Sequence, residues 1–223
     1  KMPKALQAMG KEVSVTSKLM GGDTVAATNV LTTAMNQYQV ALDDPIRASK
    51  EMARMNNVMA AAAKEGSAEL PQIAQALEQS GLAAKTAGVS FEETNAFIQV
   101  LDKNGKKGAE GGVALRNVMA TLAQGRFLPK DTKAELAAAG VNIDTLTDSS
   151  LSLSDRLKPL KGIMNDQALV TKLLGKENSN AAIAMISNTE EANRLIEAVS
   201  GTKTAYDQAD VVMQRKEERK KMF

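Results

Sequence analysis

The sequence predicts an all-α protein, and three observations carry that expectation. Apolar residues recur at three- and four-residue steps through most of the chain, the period of a helix with one buried face. Alanine, the best helix former, occurs 35 times in 223 residues, while aromatics supply only 3% of them. Glycine and proline interrupt the stripes repeatedly, so the chain folds back on itself as roughly nine to twelve short helices with no substantial sheet.

Residues 1–20 offer weak apolar points at Val13, Val15 and Leu19 and predict a frayed helix, or one that needs a neighbour. Gly21-Gly22 make a break, and Asp23 can cap the next helix. Ala27, Leu31, Met35, Tyr38 and Leu42 then form a stripe that Asp43-Asp44-Pro45 stops. Asp44 can cap a helix over about 45–65, with Pro45 in its first turn, where a missing N–H costs nothing. Met52, Met55 and Met59 line one side of it. That stripe reads first as core filler and second as an adaptable face for a partner. Pro71 starts a helix with Ile73, Ala74 and Leu77 inward, ending at Gly81. Residues 83–87 add a helical turn that stops at Gly88.

The most distinctive stretch runs from Gly81 to Leu122 and reads as a helix–loop–helix. Ser90 and Glu93 have the spacing of a capping box, in which each side chain satisfies a backbone N–H at the helix start. Thr94, Phe97, Ile98 and Leu101 follow at helical spacing. Gly105 suits a left-handed helix end, and Gly108, Gly111 and Gly112 make a permissive joint. Leu115, Val118, Met119 and Leu122 restart the period up to Gly125.

Beyond a connector at 126–130, Asp131 can cap a short helix ending at Gly140. Val141 to Asp144 alternates like a strand but is too short to make a sheet alone. The serine-rich segment 149–154 divides the chain into a helical core over 1–148 and a helical C-terminal subdomain over 149–223. Ser152 can cap a helix striped by Leu153, Leu157, Leu160 and Met164, with Pro159 inside it as a kink or stop. Short helices follow around Leu169–Leu174 and Ile183–Ile186, then one capped by Asn188 with Glu191. Thr202 or Thr204 opens the last helix, which ends in charges of both signs at 215–221. The chain starts on Lys1 and ends in helical character, so it reads as a piece of a longer protein.

Composition removes most chemistry. There is no histidine and no cysteine, which excludes Ser-His-Asp and Cys-His catalysis and an ordinary zinc site. Gly105-Lys106-Lys107-Gly108 lacks the Ser or Thr of a phosphate loop. A calcium loop starting at Asp102 would need Gly and Glu where Lys107 and Val113 stand. Glu92 and Glu93 are first-turn acids favoured by the helix dipole rather than a catalytic pair. The expectation is no enzyme, no cofactor, no metal and no small-molecule substrate. A net charge of +2 gives no case for specific nucleic-acid binding. Thr24–Leu42 is uncharged except for its flanks but too polar to sit in lipid. Few aromatics and 12 methionines predict a thin or loosely packed core, part of it covered by other copies or by missing sequence.

Several segments together resemble the N-terminal region of tailed-phage tail tape measure proteins, of the minor tail protein family, over roughly residues 27–186. They are Thr28 to Tyr38; Val58 to Ala63 with Glu69-Leu70; Gly81 to Ser90 with Glu92-Glu93-Thr94; and Gly105, Gly108 and Gly112 with Ala114 to Val118. Leu136 with Gly140-Val141, and Leu173-Leu174-Gly175 with Ala181-Ala182, extend it. Met55 to Asn57 and Val113 depart from the family pattern. The resemblance makes Gly88, Ser90, Glu93, Gly105, Gly108 and Gly112 its motif joint. It implies a structural component of a phage or prophage virion tail, assembled in the bacterial host cytoplasm and involved in tail assembly and length determination. It also implies a homo-oligomer, trimer or hexamer, with tail tube, tail-tip and chaperone proteins as partners. The alternative is a helical adaptor or scaffold that binds a protein through Met52, Met55 and Met59.

Overall fold

A computed structural model describes residues 2–221. Among them are thirteen α-helices, two short 3₁₀ segments and no strand. The all-α expectation holds, and the helix number is one above the expected range.

The caps read from sequence explain most helix starts. Asp23 accepts the Ala26 N–H at 2.9 Å and opens α2 (Thr24–Gln37), which follows α1 (Met2–Leu19). Asp44 accepts from Ile46 and Arg47 at the head of α3 (Pro45–Glu65). Glu69 and Gln72 close a capping box on α4 (Leu70–Thr86). Ser90 and Glu93 close another on α5 (Phe91–Lys103), which is followed by α6 (Gly108–Ala123). Beyond it lie α7 (Lys130–Ala138), α8 (Ile143–Thr147), α9 (Leu153–Leu157), α10 (Gln167–Leu174), α11 (Ser179–Ser187), α12 (Thr189–Val199) and α13 (Thr204–Lys221).

The axis of the fold is α5. Every residue from Glu93 to Asp102 is buried, so this helix has no solvent face. Helices α3, α4, α6, α11 and α12 pack around it. Helices α1 and α2 add a layer outside α3 and α4, and α7 to α10 close the end beyond α6. One apolar core runs from Val30 to Val199 and crosses the serine-rich segment 149–154 without a break. That segment is a tight turn, with the Asp148 carboxylate accepting the Ser150 N–H at 2.9 Å and the Ser150 hydroxyl at 2.6 Å.

Several sequence expectations give way to packing. The core is continuous rather than thin, because leucine, isoleucine and methionine supply its volume while alanine lets helices approach. The N-terminal helix is continuous over 18 residues and rests on α2, α3 and α13. Helix α2 ends at Gln37, so Leu42 lies outside it and is exposed. Gly81 stands inside α4 rather than ending it. A Cβ there would lie 2.6 Å from the Gln37 Cβ, so the glycine serves a close approach to α2. Gly108, Gly111 and Gly112 are not a loop either; they form the first turns of α6. A Cβ on Gly112 would stand 2.8 Å from the Ala76 Cα and nearer still to its carbonyl oxygen, so α6 meets α4 backbone to backbone. Residues 141–144 form no strand; the Asn142 side chain caps α8 through the Asp144 N–H at 2.9 Å. Pro129, not Asp131, occupies the cap of α7. The Asn188 side chain bonds back to the Ala184 carbonyl at 2.7 Å and so closes α11 instead of opening α12.

Helix ends repeat one device. After α4, α5 and α7 a glycine takes positive φ, and the next N–H reaches back to the carbonyl five residues earlier, as Lys106 does to Leu101 at 2.8 Å. The end of α2 makes the same bonds, Val40 to Met35 at 2.9 Å, but places Gln39 at φ 54°. A side chain there strains the backbone that glycine tolerates.

Gln39→Gly is therefore expected to stabilise the fold by about 0.5–1 kcal/mol in urea denaturation. Gly105→Ala, at φ 88° with open space around it, is expected to lose about 1–2 kcal/mol. Gly112→Ala drives a methyl into the Ala76 backbone and is expected to lose at least about 3 kcal/mol. Equal losses at Gly105 and Gly112 would contradict the backbone contact between α4 and α6.

Candidate functional site

The segment Ala87–Thr94, from the end of α4 into the first turn of α5, gathers groups from three distant parts of the chain. Gly88 turns there at φ 72°, and a Cβ on it would lie 2.5 Å from the Ser149 carbonyl oxygen. The Val89 N–H returns to the Ala84 carbonyl at 2.9 Å. The Ser90 hydroxyl accepts the Glu93 N–H at 3.1 Å, and Glu93 Oε2 accepts the Ser90 N–H at 2.8 Å. The second oxygen of the same carboxylate, Oε1, accepts the Leu153 N–H at 2.7 Å. Glu93 thus caps α5 and also holds the start of α9, 60 residues away.

Two more side chains lock the segment. The Arg156 guanidinium donates to the Ala87 carbonyl at 3.1 Å. Its burial lowers its proton affinity, and the charges of Glu93 and Asp148 offset part of that loss. From the other side, the Tyr38 hydroxyl meets the Thr94 hydroxyl and donates to the Ser90 carbonyl at 3.2 Å. Its ring packs edge-on against Phe91, with centroids 5.1 Å apart and planes at 84°. Burial raises the Tyr38 phenol far above its ordinary range, while the Thr94 hydrogen bond works against that rise. Arg54 pairs with Glu92 and with Glu51, its Nε lying 3.0 Å from Glu51 Oε1. The Glu51 hydrogen bond, aided by the charge of Glu92, raises the Arg54 pKa. A cleft of about 430 Å³ opens beside these groups, lined by Tyr38, Arg54, Lys85 and Glu92 among others.

Of the glycines of the expected joint, Gly88 and the Ser90–Glu93 box sit at this hub. Gly105 ends α5, and Gly108 and Gly112 lie on the α4–α6 contact. The joint is therefore not one loop: Gly88 and Gly112 make two separate backbone contacts, and Gly105 ends a helix in open space. Met52, Met55 and Met59 are 7%, 1% and 0% exposed and belong to the core. The second reading of that stripe, a face open to a partner, is not available in this fold.

Sequence reasoning missed a set of buried polar groups. Gln99 clamps the 66–69 turn, accepting the Ala68 N–H and donating to the Ala68 carbonyl, both at 2.8 Å. Asp102 receives the Ser67 hydroxyl at 2.5 Å and the Lys107 ammonium at 3.1 Å. Asn95, Gln99 and Asp102 recur at helical spacing, and that polar stripe on an apolar helix was the available signal. Between α1, α3 and α13 lies a second cluster. Glu12 is 4% exposed; it receives the Asn56 amide at 3.2 Å and the Tyr206 hydroxyl. Asn56 also accepts the Thr16 hydroxyl at 2.6 Å.

Chemically, this arrangement holds distant segments of the chain together. At the Ala87–Thr94 segment the Glu93 carboxylate is engaged by two backbone N–H groups and the Glu92 carboxylate by the Arg54 guanidinium. Among the described residues no group of three or more His, Cys, Asp or Glu is placed to hold a metal ion. No described helix is long and apolar enough to cross a membrane.

Comparison with known proteins decides the family. A family model described as phage-related minor tail protein matches residues 1–212. The chain belongs to the phage-related minor tail protein family. A tape measure protein of Pneumococcus phage Dp-1 is 25% identical over 144 residues, which is 63% of this chain and 11% of that protein. This minor tail chain thus spans about a tenth of the length of the relative it matches. No solved structure matches it.

Glu93→Ala removes a cap and leaves the Leu153 N–H unpaired, so a loss of about 2–4 kcal/mol is expected in chemical denaturation. Tyr38→Phe keeps the ring against Phe91 and is expected to lose only about 1 kcal/mol. Glu12 sets a pH dependence. Burial raises its carboxyl above the ordinary glutamate range; the Asn56 hydrogen bond and the Lys11 charge oppose that rise. The groups facing it are Lys11 on its own helix, Asn56 on α3 and Tyr206 on α13. Within the raised window the folded chain keeps a proton that the unfolded chain has released. Stability is therefore expected to fall as pH rises through that window, and Glu12→Gln is expected to flatten this part of the profile in urea titrations.

Proposed function

We propose that this chain is the folded segment of a tail tape measure protein and acts structurally in tail assembly and tail length determination. The family match over residues 1–212, together with the likeness to the tape measure protein of phage Dp-1, carries this reading. The geometry supports it through what the side chains do: Glu93, Arg156, Arg54 and Gln99 all fasten one segment to another. A chain built this way contributes a shape rather than a reaction, so no catalysis is assigned to it. Its partners in this reading are copies of itself, as a trimer or hexamer, and tail tube, tail-tip and assembly chaperone proteins. Assembly takes place in the host cytoplasm, and the product resides in the virion tail. A helical adaptor would need a face other than Met52–Met59, since those residues are core.

The test is genetic and structural. The codons for this chain are deleted in frame from the phage or prophage that carries it, and particles are examined by electron microscopy and mass spectrometry. The expected result is loss of tailed particles, with peptides of the chain present in wild-type tails. Normal tails without the segment, or its absence from purified wild-type tails, would overturn the reading.

A further inference from the structure

We infer that α13 is a detachable arm: it leaves its seat on α1 and α3 while residues 2–199 stay folded, and its departure opens that seat to solvent. Four observations carry this.

The apolar cluster under α13 is separate from the main core. It consists of Val15, Ala60, Ala205 and Ala209, with partial cover from Leu19 and Tyr206. Of the described α13 side chains, only the two alanines are buried, and each contributes a single methyl to the cluster. Every side chain from Met213 to Lys221 is exposed.

The remaining contacts of the arm are polar. The Tyr206 hydroxyl binds Glu12, and the Ala205 N–H donates to Asn57 Oδ1 at 3.0 Å. The Lys11 ammonium lies 5.5 Å from the Tyr206 ring centroid. Water can replace each of these when the arm leaves, so the net loss per contact is small.

The arm is flanked by open grooves. Clefts of about 670 and 540 Å³ adjoin it, and Leu19, Lys64 and Gln208 line both, so solvent reaches both edges of its seat.

The hinge is free. Gly201 takes φ 66°, with nothing within 4 Å of where a Cβ would stand. Helix α1, by contrast, packs on the main core through Met9, Val13 and Leu19, with Met20 just beyond its end, so it stays when the arm goes. Release uncovers Val15, Ala60, Asn56 and Asn57, a shallow seat cut for a helix with alanines four residues apart.

Hydrogen exchange of the intact chain, read by mass spectrometry, tests this. Amides of 204–221 are expected to open at least about 100-fold more often than those of 94–102. Tyr206→Phe is expected to raise exchange in α13 about threefold to tenfold and leave α5 unchanged. Ala209→Glu, which sets a charge in the small cluster, is expected to remove α13 protection entirely while α5 keeps its own. Exchange of α13 and α5 at one common rate, or a Tyr206→Phe effect spread equally over both, would overturn the inference.

Discussion

Burial of α5 on every side from Glu93 to Asp102 is the constraint on which the other contacts depend. A helix that gives up every solvent face must satisfy its polar side chains inside the protein, or lose the desolvation energy of each unpaired group. Helix α5 carries Glu93, Asn95, Gln99 and Asp102 in this position. Three of them solve the problem by binding chain segments that also need partners. Glu93 takes the Leu153 N–H, Gln99 takes both backbone groups of Ala68, and Asp102 takes Ser67 and Lys107. Asn95 bonds the Phe91 carbonyl within its own helix. The polar groups of the axis therefore fix where the α3–α4 turn, the α5–α6 turn and the start of α9 sit.

The second shaping factor is the size of the smallest side chains. Helix α6 approaches α4 closely enough that Gly112 faces the Ala76 backbone, and Gly81 makes room on α4 for the Gln37 side chain that ends α2. These contacts bring helices together with few aromatic residues in the core, chiefly Phe91 and Phe97 with the half-polar Tyr38. Close approach of small residues replaces bulky filling. The consequence is a core that is dense yet built from many short elements, each held at its ends by caps.

Stability is unevenly distributed as a result. Around α5 the apolar core and the buried polar bonds reinforce each other, and local opening there exposes both. At α13 the ratio reverses: two buried alanines and a few polar bonds hold a helix whose second half touches solvent. For a tail protein this division places a rigid body and a loosely seated helix in one chain.

The sequence by itself determined the helical class, most caps and the functional family. Those are local properties: Asp23, Asp44, Ser90 with Glu93, and Ser152 act on N–H groups within three residues of themselves, so spacing is enough to find them. The core role of Met52, Met55 and Met59 was readable from their period for the same reason. Tertiary structure alone decided what required a partner distant in sequence. Spacing gives Gly81 and Gly112 the look of breaks, but a glycine that ends a helix and one that admits a neighbouring backbone are identical until the neighbour is in place. Gln39 ended α2 early because the following Val40 N–H found the Met35 carbonyl, against the stripe that continued to Leu42. The far ligand of Glu93, the seat of Arg156 and the shared core across 149–154 depend on contacts 60 or more residues apart. Local period carries no information about such contacts, because it fixes which face of a helix is apolar and not what that face, or the opposite one, will meet.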